Sequence, residues 1–182
     1  MRRSARDGIF DSTIALRVLS FLLNYPSREF LASEIQKKKV ASRAGIYLAL
    51  QQLNQKGFVR REARGRFHLY AASSDNPVIK QYKALKNVIS LEPLLDKLRR
   101  DSLKIVLFGS SARGEDFSTS DFDLLILARE VERMRALVAS FKGERRIQTI
   151  ILSPTEFSEL KEKDQYLFSE IDRGIVLWEA PA

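Results

Sequence analysis

The chain has 182 residues, of which 45% are hydrophobic and 30% charged, with no cysteine and a formal net charge of +8. It contains no apolar run of the 18 or so residues a membrane span needs, and without cysteine it can form neither disulfides nor thiolate zinc sites. The charge is uneven: residues 1–75 carry 14 Lys and Arg against 6 Asp and Glu, whereas the remainder carries 17 of each sign. A basic module joined to a neutral one suits contact with nucleic acid, because Lys and Arg gain affinity by displacing counterions from phosphate. A basic solvated face fits the same numbers. The start of the chain is basic but leads into an amphipathic stretch interrupted by Arg17, not into a signal-peptide core, so a cytoplasmic protein is expected.

In chain order, Ile14, Leu16, Val18, Leu19, Leu22 and Leu23 form an apolar stripe at helical spacing, with Ser12 available as its N-cap. Tyr25-Pro26-Ser27 ends this helix. A short second helix is predicted over 31–38 with Leu31 and Ile35 inward. Ser42 then caps a third helix running to about Lys56, with Ile46, Leu48, Leu50 and Leu53 toward the core and Gly57 in the left-handed position after its end. Residues 58–62 and 66–70 read as two strands of a hairpin around Ala63-Arg64-Gly65.

Three helices followed by a basic hairpin resemble a winged helix-turn-helix domain over about residues 10–72. The resemblance implies double-stranded DNA as partner. The third helix would enter the major groove from Ser42, Arg43, Ala44 and Gly45, with Tyr47 and Gln51 or Gln52 in reach, and Arg60, Arg61, Arg64 and Arg66 on the wing would meet the backbone. Arg43 is the candidate for reading a guanine edge. A strand sends Arg60 and Arg61 to opposite faces, so one of the two is expected to cover the sheet edge. Tyr47 fits a core aromatic as well, and some winged helices bind only protein. His68, the single histidine, reads as a strand residue and not a ligand.

The polar stretch 71–77 falls where the charge balance changes, and places a boundary between a domain at 1–74 and linker helices at 75–100. Two linker helices are expected, 78–89 and 91–99, broken near Ser90 with Pro93 in the first turn of the second. Their apolar faces would suit packing on either neighbour or homodimerisation.

The third region, 101–182, opens with Lys104-Ile105-Val106-Leu107-Phe108, the signature of a central strand buried on both faces. It ends at Gly109-Ser110, and after a short helix start and a polar loop Ser120-Asp121-Phe122-Asp123 leads into the apolar strand 124–127. A glycine lets backbone approach a phosphate, a helix start offers amide donors, and Ser110 can add a hydroxyl. Asp121 and Asp123, two apart on extended chain, project to one face and converge. Such a pair invites a cation, and Mg²⁺ would bridge carboxylates to phosphates.

The string 108–114, Phe-Gly-Ser-Ser-Ala-Arg-Gly, followed by Asp121-Phe122-Asp123-Leu124-Leu125, resembles the minimal nucleotidyltransferases of the DNA polymerase beta superfamily over about residues 90–178. The resemblance implies an α/β (α+β) chain whose third region holds a mixed sheet with helices. It assigns nucleotide binding to Gly109, Ser110 and Arg113, metal ligation and catalysis to Asp121 and Asp123, and Mg²⁺ with a nucleoside triphosphate, ATP in the first instance, as ligands. It also implies transfer of a nucleoside monophosphate to a hydroxyl acceptor, which in some relatives is a partner toxin. Relatives commonly carry a basic residue where Ser111 stands, so one phosphate contact would be missing. They also commonly carry a third carboxylate on the next strand, expected here at 146–152, where Gln148 occupies the place. An amide cannot serve as a general base. Glu144, just before that strand, would substitute if the backbone brought it round, while Glu115 and Asp116 read as solvated loop residues. Three functions stay open: a transferase, a DNA-binding regulator whose second domain senses nucleotide or dimerises, or a purely protein-binding scaffold. Near the end, Ser153-Pro154-Thr155-Glu156 reads as a capping box opening a helix, and Trp178 as core.

Overall fold

The structure, a computed structural model, describes residues 13–181. The proposed Ser12 cap lies outside them. Thr13 caps the first helix instead, accepting from Leu16 N at 3.2 Å. The described chain divides into two compact units, one ending at Tyr82 and one beginning at Lys83.

In the first unit, α1 (Ile14–Leu23), α2 (Ala32–Lys37) and α3 (Arg43–Gln55) pack with a three-stranded antiparallel sheet of β1 (Phe30–Leu31), β2 (Val59–Arg64) and β3 (Phe67–Ala72), in the order β1-β3-β2. The core gathers Val18, Leu19 and Leu22 from α1, Ile35 from α2, and Ile46, Ala49, Leu50 and Leu53 from α3. Each fully buried side chain of this size contributes roughly 1.5–3 kcal/mol. Ser42 caps α3 through Gly45 N at 3.2 Å, and Gly57 closes it at φ +72°, both as the sequence suggests. Two expected core residues are not core. Leu48 is 59% exposed, because the buried face of α3 passes through 46, 49, 50 and 53, and 48 stands off it. Leu31 is only partly buried, since it pairs with Leu69 in β1 and precedes α2 rather than joining it.

A single helix, α4 (Pro77–Leu98), replaces the two expected on either side of Ser90. Asn76 starts it by accepting from Val78 N at 2.9 Å. The Ser90 hydroxyl donates to the Asn87 carbonyl at 2.8 Å without interrupting the turn. Pro93 lies inside the helix, where it costs about 3 kcal/mol. Leu91, Leu94, Leu95 and Leu98 around it are each at most 1% exposed, and their burial outweighs that cost while Pro93 itself faces solvent. Ile79 packs in the core of the first unit, the four leucines in that of the second.

The second unit is a mixed four-stranded sheet of β4 (Lys104–Phe108), β5 (Phe122–Leu127), β6 (Ile147–Leu152) and β7 (Ile175–Glu179), ordered β6-β5-β4-β7. Only β5 and β6 run parallel. Helices cover both faces. The leucines of α4 and Met134 of α6 (Val131–Ala139) meet Ile105, Leu107, Leu124 and Ile126 on one side. On the other, α7 (Pro154–Lys163) and α8 (Gln165–Asp172) supply Phe157, Leu160, Leu167 and Ile171 against Val106 and Leu125. This two-sided cover explains the continuous apolar runs of β4 and β5. The capping box of α7 forms as expected, with Ser153 Oγ accepting from Glu156 N at 3.3 Å and Glu156 Oε2 from Ser153 N at 2.8 Å. Among the described residues no helix is long and apolar enough to cross a membrane.

Candidate functional site

The corner between β4 and β5 is built by a reversal that glycine adopts at the least cost. The chain leaves β4 at Phe108, enters the five-residue α5 (Gly109–Arg113) with Gly109 at φ +69°, and leaves it through Gly114 at φ +65°. A Cβ on Gly109 would lie 2.7 Å from Asp123 Oδ2. The glycine thus serves both the backbone turn and the closeness of the carboxylate. Phe108 pairs with Asp123 across the sheet, which fixes the register of Gly109 against the Asp-x-Asp segment.

Asp121 lies close enough to Asp123 for the two charges to interact. Burial first, then the charge of Asp121, raises the Asp123 carboxyl above the usual carboxylate range, while Arg145 opposes this. A cation between the two carboxylates would relieve the repulsion. In the parallel ladder Gln148 stands directly beside Asp123, so the third position, one strand over, holds an amide. Glu144 does not replace it: among the described residues no three His, Asp or Glu side chains are grouped to hold a metal. The donor set of two carboxylates fits Mg²⁺ shared with phosphate oxygens, the usual state of that ion, and not an all-protein cage.

Arg145, which the sequence did not single out, holds the corner in place. It is largely buried, with its guanidinium carbon 3.8 Å from the centre of the Phe122 ring. Its Nε donates to the Ser120 carbonyl at 2.7 Å, one terminal nitrogen to Asp116 Oδ2 at 2.7 Å and Asn87 Oδ1 at 3.2 Å, and the other to Ser111 Oγ at 3.0 Å and the Asp121 carbonyl at 3.2 Å. Asp116 is therefore not a solvated loop residue. It is 4% exposed, pairs with Arg145, and accepts from Asn87 Nδ2 at 3.0 Å, with Lys83 Nζ 3.7 Å away. Burial lowers the Lys83 ammonium below the usual lysine range even with Asp116 beside it.

Ser111 is wholly buried and donates to the Asp121 carbonyl at 3.2 Å, so it ties the turn to the aspartate segment. No helical periodicity links 87, 116 and 145. One local signal exists: Asn87 falls on the buried stripe of α4 with Ala84, Leu91 and Leu94, and a polar residue there asks for a buried partner.

Arg113, assigned to phosphate by resemblance, is held by two carboxylates, Glu115 at 3.0 Å and Glu170 of α8 at 2.7 Å. Ser110 is half-buried in α5 and its carbonyl accepts from Glu115 N at 2.9 Å.

In the first unit, Arg43 and Tyr47 are exposed on the opening turns of α3, Tyr47 at 61%, so Tyr47 is not a core aromatic. Gly45 turns inward, where a Cβ would meet Ile14 Cδ1 at 2.9 Å. On the hairpin, with Gly65 and Arg66 as its two-residue turn, every residue of β2 after Val59 is exposed, so Arg60 and Arg61 both reach solvent. Arg64 differs from its neighbours, since Glu29 at 2.8 Å and Glu62 at 2.9 Å engage it. Arg43, Arg60, Arg61 and Arg66 make no ion pair among the described residues.

No curated protein and no solved structure matches the chain. Residues 91–181, half of it, match the family model described as "Polymerase beta, Nucleotidyltransferase", a span that contains β4, the Gly109 turn, both aspartates and Gln148. The chain belongs to the polymerase beta nucleotidyltransferase family.

Proposed function

We propose that this protein binds a magnesium nucleoside triphosphate at the Gly109–Asp123 corner and double-stranded DNA through its first unit. The observation that carries the nucleotide reading is the 2.7 Å closeness of the Gly109 Cβ position to the Asp123 carboxylate, beside Asp121, which sets the metal-binding carboxylates against the phosphate-approaching turn. Gly109 and Ser110 receive the phosphates, and Asp121 and Asp123 hold Mg²⁺, which supplies charge neutralisation for the polyphosphate. Calorimetry with Mg-ATP and Mg-GTP tests it: the wild type is expected to bind one of them, and the Asp121→Ala, Asp123→Ala double variant neither. Equal binding by both proteins would remove the aspartates from the site.

Within this family the reaction is transfer of a nucleoside monophosphate to a hydroxyl, on a protein such as a toxin partner or on a small molecule. Gln148 in register with Asp123 favours the second function, nucleotide sensing or a dimerisation body, because no carboxylate stands there as a general base. Labelled ATP with candidate acceptors separates the two. Binding without labelled product supports the sensor, and labelled product that depends on Asp121 and Asp123 supports the transferase.

The DNA reading is supported by the exposure of Arg43, Tyr47, Arg60, Arg61 and Arg66 and by the excess of positive charge in residues 1–75. Arg64, held by two glutamates, contributes least, and Ser42 acts as the cap that starts the groove helix. Fluorescence anisotropy with a duplex library is expected to show affinity falling roughly 10³-fold or more between 50 and 200 mM salt if six or more phosphates are met. Arg43→Ala is expected to relax base preference at a cost of about 1–3 kcal/mol, and Arg66→Ala to weaken all duplexes alike. Absence of binding at low salt would leave protein contact as the role of this unit.

A further inference from the structure

At the end of the sheet opposite Asp123, a pocket of about 410 Å³ lies at the C-terminal turn of α4, the start of β4 and the far ends of β5 and β7. Lys104 pairs there with Leu127 and Glu179, and the length of β4 separates this end from the Asp123 pairing by roughly 13 Å. The volume falls in the range of small-ligand sites, about 300–1,000 Å³. Arg99, Arg100, Ser102, Arg129, Glu130 and Trp178 are among its lining residues.

The lining holds an excess of hydrogen-bond donors. Ser102 is 5% exposed and its hydroxyl finds no partner among the described residues; the same is true of Trp178 Nε1 and Arg99 Nε. Only one other buried side-chain polar atom of the described chain is in that condition, and it lies in the first unit. A buried donor left without an acceptor costs about 1–3 kcal/mol, and these three lie behind the pocket wall with no exposed surface of their own.

The charges point to an anion. The terminal nitrogens of Arg99 are engaged by Glu92 at 3.0 Å and Asp96 at 3.4 Å, and Asp101, which also lines the pocket, is taken by Arg133 at 3.0 Å. Among the described residues Arg100 and Arg129 have no ion pair and face a single uncommitted carboxylate, Glu130. A guanidinium fork can pair with two oxygens of a phosphate through parallel hydrogen bonds, a planar match that an ammonium does not offer.

We propose that this pocket binds a small oxyanion, a phosphate or a phosphate monoester no larger than a mononucleotide, gripped by Arg100 and Arg129. It is a second site, built from other residues than the Gly109–Asp123 corner and at the other end of the same sheet.

Trp178 is the only tryptophan, so its emission reports on the pocket directly. The whole protein is titrated with inorganic phosphate, pyrophosphate and AMP, with adenosine as the uncharged control. A saturable change in emission with a phosphate-bearing ligand and none with adenosine is expected, and the tightest of the three tells free phosphate from a monoester. Arg100→Glu with Arg129→Glu, both on exposed positions that leave the core intact, should weaken binding at least tenfold. Asp121→Ala with Asp123→Ala should retain it. The proposal is overturned if neither emission nor calorimetric heat responds to any of the three anions, if the charge reversals leave affinity unchanged, or if the aspartate variant abolishes the response. The last result would place the anion at the other corner.

Discussion

Arg145→Met is expected to destabilise the second unit by about 3 kcal/mol, near the lower end of what removing one partner of a buried ion pair costs. The change leaves Asp116 4% exposed with Lys83 3.7 Å away as its remaining cation, and it strips donors from the carbonyls of Ser120 and Asp121 and the hydroxyl of Ser111. Urea denaturation followed by Trp178 emission measures it. In a unit of this size the melting temperature should fall by roughly 10 °C or more. Adding Asp116→Asn to Arg145→Met should cost less than the sum of the two single changes, because the second substitution removes the charge that the first left unpaired. Arg145→Lys should rescue little, since an ammonium cannot match a planar fork that meets acceptors on 111, 116, 120 and 121 at once. A loss below about 1 kcal/mol for Arg145→Met would mean that the network counts for no more than a surface pair.

The second large effect is expected at Gly109. An alanine there meets two separate penalties: a left-handed backbone at φ +69°, costing about 1–2 kcal/mol, and a Cβ 2.7 Å from Asp123 Oδ2. The carboxylate must rotate away, and a displacement of about 1 Å in a positioning group lowers function on the order of 10²-fold. Gly109→Ala should therefore lose Mg-nucleotide binding while the unit stays folded. Gly57→Ala separates the two penalties, because Gly57 has φ +72° with nothing within 4 Å of its Cβ position. It should show the backbone cost alone, with nucleotide binding intact. Undiminished nucleotide affinity in Gly109→Ala would argue that the Asp123 carboxylate does not need its present position.

Much of the local structure follows from short-range chemistry. Ser42 and Ser153 cap helices because their hydroxyls reach an amide three residues on, and Gly57 ends α3 because the left-handed position excludes a Cβ at little cost only for glycine. The runs 105–108 and 124–127 are apolar throughout because helices cover both faces of their sheet. Where pattern misled, a tertiary term had overruled it: Pro93 stays inside α4 because four leucines are buried around it, and Leu48 stands outside a core face that passes through 49 instead. The helix over 131–139 leaves a weaker trace, with Met134 its one fully buried side chain.

The sequence by itself determined the Gly109–Asp123 corner, because a glycine turn and two aspartates between apolar strands are encoded within fifteen consecutive residues, and it determined the amide at 148 through the order of strands. What holds that corner was decided only by the tertiary structure. Asn87, Ser111, Asp116, Ser120, Asp121 and Arg145 come from a helix, a turn, two loops and a strand entry up to 58 residues apart, and a charge is stable in that interior only where folding completes every hydrogen bond around it. The unpartnered donors of Ser102 and Trp178 arise the same way, since no sequence pattern tells that two residues 76 positions apart share a pocket.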